Sequence, residues 1–209
     1  MFFNRFLSSP APSPLHIREY AYFCRNSEIM GRHRYRKLLN EELDRMNAEE
    51  YRKAEKFPVT IVLDNVRSLN NIGSVFRTAD GFLAREVLLC GITATPPHRD
   101  IRKTALGATE SVPWRYFNDT ADAICRLREQ AFRIISVEQA EGSISLDQFM
   151  PEKGAPYALV FGHEIKGVSQ EIVDMSDTCI EIPQFGTKHS FNISVSVGIV
   201  LWDLFMKTR

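Results

Sequence analysis

Three short polar clusters hold the side chains best able to do chemistry. In "DNVRSLNNIGSVFRTAD" (64–80), Asn71 and Arg77 stand six apart with Gly73 and Ser74 between them. In "FGHEIKGVSQ" (161–170), Gly162 and Gly167 frame a loop that contains Glu164. In "FGTKHSFNISVSVGI" (185–199), a glycine turn bearing Lys188 and His189 leads into Ser190, Phe191 and Asn192, then into a β-branched run. A glycine turn lets a ligand come against backbone N–H and C=O groups, which can read an adenine edge without a charged side chain. Each cluster also has a plainer reading. Asn71 could cap a helix with Arg77 in a surface ion pair, Glu164 could be a solvated loop charge, and Ser190 and Asn192 could cap the final helix. The GxxxxG spacing of the second cluster invites comparison with a phosphate loop. Val168-Ser169 follows, however, where Lys-Ser/Thr is required, and the chain has no GxGxxG.

These clusters need a frame, and the hydrophobic pattern predicts one. "PVTIVLD" from Pro58 is apolar almost throughout, as strands covered on both faces are. "REVLLCGI" (85–92), "FRIISVE" (132–138), "YALVFG" (157–162) and "TCIEIP" (178–183) read as further strands. A helix is expected near 119–130 with Asn118 as its cap, and another from about 191 to the end. Alternation of this kind predicts an α/β fold with a largely parallel sheet. All three clusters follow strands, where parallel sheets bind ligands. Phe191, Ile193, Val195, Val197, Ile199, Val200, Leu201, Leu204 and Phe205 surround the final helix, which predicts burial on more than one side and so a subunit partner.

Ahead of this frame, "RKLLNEELDRMNAEEYRKAE" (36–55) predicts an amphipathic helix, with Leu39, Leu43 and Met46 on one face and Glu41–Arg45 as an i,i+4 pair. Residues 1–56 are therefore expected to form a leader and helical extension, and 57–209 the main domain. Residues 1–30, with three prolines between 10 and 14, read as a disordered leader, and Met30 is an alternative start. The chain has 26 basic and 26 acidic residues, so the whole molecule offers no strong field to nucleic acid. Residues 1–56 hold 11 Lys/Arg against 8 Asp/Glu, concentrated in "RHRYRK" from Arg32 to Lys37. Cys24, Cys90, Cys125 and Cys179 are far apart with no CxxC, which argues against a metal or disulfide and suits a reducing cytoplasm. No 18-residue apolar run suggests a membrane span.

Taken jointly, Asn71-x5-Arg77-Thr78, "FGHEIKG" and "IPQFGTKHSFNISVSVGI" closely resemble the three motifs of the SpoU/TrmH branch of the SPOUT methyltransferases. The resemblance covers residues 57–209 in order and spacing. It implies a parallel α/β sheet flanked by helices whose C-terminal part is tied into a trefoil knot, and a homodimer packed through that region. It implies S-adenosyl-L-methionine as methyl donor, lying against Val137, Gly162, Ile182, Ser190 and Phe191, and a ribose 2'-hydroxyl of RNA as acceptor. It implies that Asn71 and Arg77 serve the RNA ribose and phosphate, that Glu164 belongs to the catalytic pocket, and that Ser190 and Asn192 hold the closing loop and the active-site arginine. His163 stands where the family often has Asn, and Phe191 where Leu is usual.

Methyl transfer from a sulfonium needs alignment more than activation. A guanidinium has no lone pair to act as a simple base, so Arg77 is expected to bind the adjacent phosphate and stabilise the developing oxyanion. Candidates for gripping the RNA are Arg32, Arg34 and Arg36, then Arg99, Arg102 and Lys103 in the exposed basic loop "TATPPHRDIRKTALGA" (93–108), and Lys188. Transfer RNA is the first expectation for the substrate and ribosomal RNA the second. The rival readings are a non-catalytic RNA-binding module on the same scaffold and a nucleotide-dependent hydrolase, which lacks both phosphate-loop fingerprints.

Overall fold

The computed structural model describes residues 35–209. Seven parallel strands build its sheet in the order β3-β2-β1-β6-β4-β7-β5. They are β1 (Phe57–Asp64), β2 (Ala84–Cys90), β3 (Trp114–Phe117), β4 (Arg133–Val137), β5 (Ile144–Ser145), β6 (Tyr157–Phe161) and β7 (Thr178–Glu181). The helices are α1 (Ala48–Lys53), α2 (Leu69–Gly81), α3 (Arg99–Ala105), α4 (Ala108–Ser111), α5 (Thr120–Glu129), α6 (Gln170–Asp174) and α7 (Ile193–Thr208). Every strand pair is parallel. The alternating α/β pattern of the sequence is therefore what the chain adopts.

Both faces of the sheet are covered, which is why β1 is apolar apart from Thr60 and Asp64. Ile61 and Leu63 turn into one core with Ile72 and Phe76 of α2 and Val197 and Leu201 of α7. Val62, between them, turns into the other, with Ile124 and Leu127 of α5. Period-two alternation of the backbone splits the strand between two apolar layers.

Residues 46–209 form one compact unit that includes α1, although α1 lies before residue 57. The helix expected over 36–55 is not continuous. Within residues 35–45, Asn40–Leu43 makes one 3-10 turn that ends at Asp44 in the left-handed region. Arg36 pairs with Glu42 there, and Leu38, Leu39 and Leu43 are exposed. In the larger unit, Asn47 starts α1 afresh: its side chain accepts from Glu49 and Glu50 N–H, and Glu50 returns a bond to its backbone. A capping box of this strength defines a new start. Met46 is exposed, and Tyr51 is the residue that α1 buries.

Three further expectations shift. α5 is capped by Asp119, which accepts from Ala121 N–H, not by Asn118. α2 is capped by Ser68, so Asn71 sits inside its first turn and its side chain is free for other partners. The basic stretch 93–108 is not a loop: Arg99–Ala105 is α3, with His98 as its cap. α3 lies tightly on α2 because a Cβ on Gly73 would come within 2.3 Å of the Ile101 carbonyl oxygen, so only glycine permits that approach.

Candidate functional site

The strand ends of β6, β4 and β7, three neighbours in the sheet, open into one cavity of about 550 Å³. Its walls come from Val137 to Gln139 at the end of β4, Phe161 to Gly167 at the end of β6, and Glu181, Ile182, Gln184 and His189 to Ile193 from the end of β7 onward. Val137, Gly162, Ile182, Ser190 and Phe191 all line it, as do Glu164 and Asn192.

The β6 loop is a closed ring. His163 and Gly167 exchange two backbone hydrogen bonds at 3.0 and 2.8 Å. The His163 Nδ1 accepts from Ile165 N–H at 3.0 Å and from Lys166 N–H at 3.4 Å. That is the work an asparagine side-chain oxygen does in a turn, and it accounts for a histidine at this place. Gly162 has no room for a side chain, since a Cβ would lie 2.1 Å from the backbone of Gly167 and Val168.

From this ring Glu164 points to the β1–α2 turn. Its carboxylate accepts from Arg67 N–H at 3.1 Å, Ser68 N–H at 2.9 Å and the Asn71 amide at 3.2 Å. Burial pushes its pKa up, but the bonds from Arg67, its own backbone, Ser68 and Asn71 outweigh that and hold it below the usual carboxylate range. Asn71 passes the contact on, accepting from Asn192 Nδ2 at 3.2 Å. Asn192 caps α7 with its other side-chain atom, which accepts from Ser194 N–H and hydroxyl at 2.9 and 2.7 Å. Glu164, Asn71 and Asn192, one from each sequence cluster, thus form a single hydrogen-bonded chain. The loop before Asn192 is tied independently, because Gln139 Nε2 donates to the His189 carbonyl at 2.7 Å.

Arg77 is not brought into this group. It is exposed, and it makes no hydrogen bond or ion pair among the described residues. Six residues beyond Asn71, it stands about 120° around α2 and about 9 Å further along the axis. Arg99, Arg102 and Lys103 share the exposed face of α3, and Lys188 is exposed beside the cavity loop. Arg36 is engaged with Glu42, and Arg32 and Arg34 lie outside the described residues. Among the described residues no group of His, Cys, Asp or Glu could hold a metal, and no helix is long and apolar enough to cross a membrane.

Sequence reasoning missed Glu138 and Gln139. Glu138 accepts from Val168 N–H and Gln139 N–H, both at 2.9 Å, and so braces the ring from the β4 side. Their partners across the site, the Val168 N–H and the His189 carbonyl, are backbone groups of distant segments, which leave no mark in the local sequence. The signal available was position: both immediately follow a strand.

An all-parallel sheet with a cavity at the carboxyl ends of its strands, and a loop-borne carboxylate tied across to a helix start, defines an α/β ligand-binding protein. Residues 58–202 match the SpoU rRNA Methylase family, and the chain belongs to it. A 23S rRNA (guanosine-2'-O-)-methyltransferase of Vibrio parahaemolyticus is 28% identical over 188 residues, covering 90% of this chain and 73% of that one. A TrmH family relative from Staphylococcus saprophyticus is 27% identical over 153 residues, covering 73% of this chain but only 60% of its own length. The AdoMet-bound rRNA methyltransferase of Sinorhizobium meliloti superposes with a TM-score of 0.67 at 26% identity, covering 74% of this chain and 59% of that one. This chain therefore spans about three fifths of the length of two of these three proteins.

Proposed function

We propose that this protein transfers a methyl group from S-adenosyl-L-methionine to a ribose 2'-hydroxyl of RNA. The observation that carries the reading is the Glu164–Asn71–Asn192 chain beside the cavity, which joins all three motifs in one place. The cavity fits the cofactor. Its volume lies within the usual range for small-molecule sites, and Val137, Phe161, Ile182 and Phe191 offer apolar walls. Glu138, Glu164 and Glu181 against the single Lys166 give it the negative lining that suits a cation. The AdoMet-bound relative from Sinorhizobium supports the same assignment.

When bound, the cofactor supplies an activated methyl group on a sulfonium. This chain's residues do the positioning. The ring at 162–167 and the loop at 184–192 present backbone groups to the adenosyl part and exclude water. Glu164, ionised, holds the start of α2 against the cavity and is no proton donor. Asn71 faces the cavity edge, where a ribose would lie. Arg77, on the exposed side of α2, binds the adjoining phosphate and offsets charge developing on the 2'-oxygen. The proton leaves to that phosphate or to water, since a guanidinium cannot accept it.

The expectation of transfer RNA before ribosomal RNA is not supported by the Vibrio relative, which is a 23S rRNA methyltransferase. Ribosomal RNA is therefore the substrate to test first. The carboxyl-end segment threads a trefoil knot in this reading, consistent with Lys207 Nζ donating to the Leu146 and Phe149 carbonyls of the 138–156 connection. Two copies pair through α7, whose Val195, Trp202 and Met206 form an exposed apolar stripe. Calorimetry with S-adenosyl-L-methionine tests the cofactor. Mass spectrometry of ribosomal and transfer RNA from cells with and without the gene tests the reaction. One lost ribose methylation is expected; an unchanged pattern together with absent cofactor binding would overturn the reading.

A further inference from the structure

Asp64 closes β1, is 2% exposed, and is not part of the cavity wall. A carboxylate this deeply buried must be hydrogen-bonded. Its Oδ1 accepts from the Thr120 hydroxyl at 2.6 Å and from Asn65 Nδ2 at 2.8 Å. Its Oδ2 accepts from Ser169 N–H at 3.3 Å, 105 positions later in the chain. Asn65 in turn accepts from Ile92 N–H at 3.1 Å. Asp64 thus ties together the turn after β1, the loop after β2, the first residue of α5 and Ser169, the second residue beyond the cavity ring.

The last of these ties bears on the site. The segment 163–169 runs from the ring to α6, and three carboxylates hold it. Glu164 fixes its front to Arg67 and Ser68, Glu138 fixes Val168, and Asp64 fixes Ser169. Ser169 opens α6 without any side-chain cap of its own, so among the described residues that end of the ring segment is held by two side-chain bonds, Glu138 on Val168 and Asp64 on Ser169. The same β1 turn that carries Asp64 also presents the N–H groups of Arg67 and Ser68 to Glu164. The ring is consequently gripped at both ends by one turn.

We propose that Asp64 is a positioning residue for the proposed cofactor cavity, acting through Ser169 to fix the Gly162–Gly167 ring. The proposal rests on the cofactor reading above. Because Asp64 does not line the cavity, any effect it has on ligand affinity must travel through the segment it holds.

The test is a double-variant cycle of three proteins beside the wild type, with a fourth variant as control, read by calorimetric titration with S-adenosyl-L-methionine and by thermal melting. Asp64→Asn keeps the shape but removes the charge, and is expected to weaken binding by about tenfold. Ser169→Pro deletes the donor while leaving the carboxylate, and φ of −62° at Ser169 suits proline. It should weaken binding similarly, and the double variant should be no weaker than either single one. Thr120→Val removes a bond on the side away from the ring and should lower the melting temperature with binding unchanged. Additive effects of the first two, or Asp64→Asn binding like the wild type, would overturn the proposal. So would a Thr120→Val loss of affinity equal to that of Asp64→Asn. If Asp64→Asn fails to fold, Ser169→Pro alone reads the same contact, and unchanged affinity there overturns it. Absent binding by the wild type would instead sink the cofactor reading.

Discussion

Asn192 donates its side-chain amide to Asn71 at 3.2 Å, across 121 positions of sequence. The bond sits at the mouth of α7 and carries the cavity loop's last residue to the first turn of α2. Asn71 is its hub, since the other end of the same carboxamide donates to Glu164. Asn71→Ala should weaken cofactor binding or turnover by about ten- to a hundredfold, because Glu164 and Asn192 each lose a partner. Asn71→Asp should be worse, as it sets a second carboxylate against the first. Steady-state assay of both variants at neutral pH checks the order, and Asn71→Asp equal to or better than Asn71→Ala would contradict it.

The ring geometry sorts the glycines. Gly162→Ala places a methyl 2.1 Å from backbone atoms of Gly167 and Val168, which cannot swing aside as a flexible side chain would. Binding should fall by about tenfold or more. Gly186→Ala, in the neighbouring loop, meets nothing within 4 Å and should bind within about twofold of the wild type. Calorimetry on the pair separates a steric account from general loop sensitivity.

Much of this frame is legible in the sequence, and the failures share a cause. β1, β2, β4, β6 and β7 carry enough consecutive apolar residues to be read directly. β3 does not, because Trp114–Phe117 is a four-residue edge strand whose side chains are mostly half-buried. α3 reads as a loop because Pro96, Pro97 and Gly107 bracket it, and its apolar contacts are only Ile101 and Ala105. The broken helix over 36–55 shows the reverse error: good helix formers mislead where Asp44 takes a left-handed turn and Asn47 caps a new start. At the site, the motif residues are visible by type and spacing. Asp64 and Glu138 are not, because the bonds by which they reach the ring segment come from the backbone N–H groups of Ser169 and Val168, which carry no residue code. The position of Arg77 outside the cavity wall follows from helix phase once Ser68, not Asn71, is the cap.

Acid should expose the role of Glu164. Its pKa is held below the unfolded value of about 4.3. Its stabilising contribution is therefore complete above that value and is lost as pH falls through the lower folded value. The melting temperature of the wild type should exceed that of Glu164→Gln by a constant margin from pH 7 to about pH 5. The margin should shrink below that, as both proteins carry neutral groups. A margin still constant at about pH 3 would show that the charge is not what matters.

The stripe on α7 predicts an assembly. Val195, Trp202 and Met206 are 49%, 57% and 51% exposed, on the side opposite Val197, Val200 and Leu204. An apolar stripe of this kind is the usual centre of a subunit interface. Sedimentation should give twice the chain mass for the wild type. Val195→Glu with Met206→Glu should give one chain mass with secondary structure intact by circular dichroism. A wild type that sediments as one chain at micromolar concentration would remove the dimer from the proposal.

The basic face of α3 supplies the last prediction. Arg99, Arg102 and Lys103 follow i, i+3, i+4 spacing and so lie on one side of the helix. Gly73 lets α3 lie close on α2, and the Thr104 hydroxyl, donating to the Asn70 carbonyl at 3.0 Å, pins it beside the Asn71 turn. In the proposed function, cations held there would meet phosphates of an RNA whose ribose reaches the cavity edge, and each neutralised phosphate would release counterions. Arg102→Gln with Lys103→Gln should therefore weaken RNA binding and make the slope of log affinity against log salt shallower by about 1.4 to 1.8. Cofactor affinity should not move, since neither residue lines the cavity. Filter binding across a salt series, run beside calorimetry with the cofactor, tests both halves. An unchanged slope would move the RNA path off α3, and a parallel loss of cofactor affinity would mean the double change had disturbed α2.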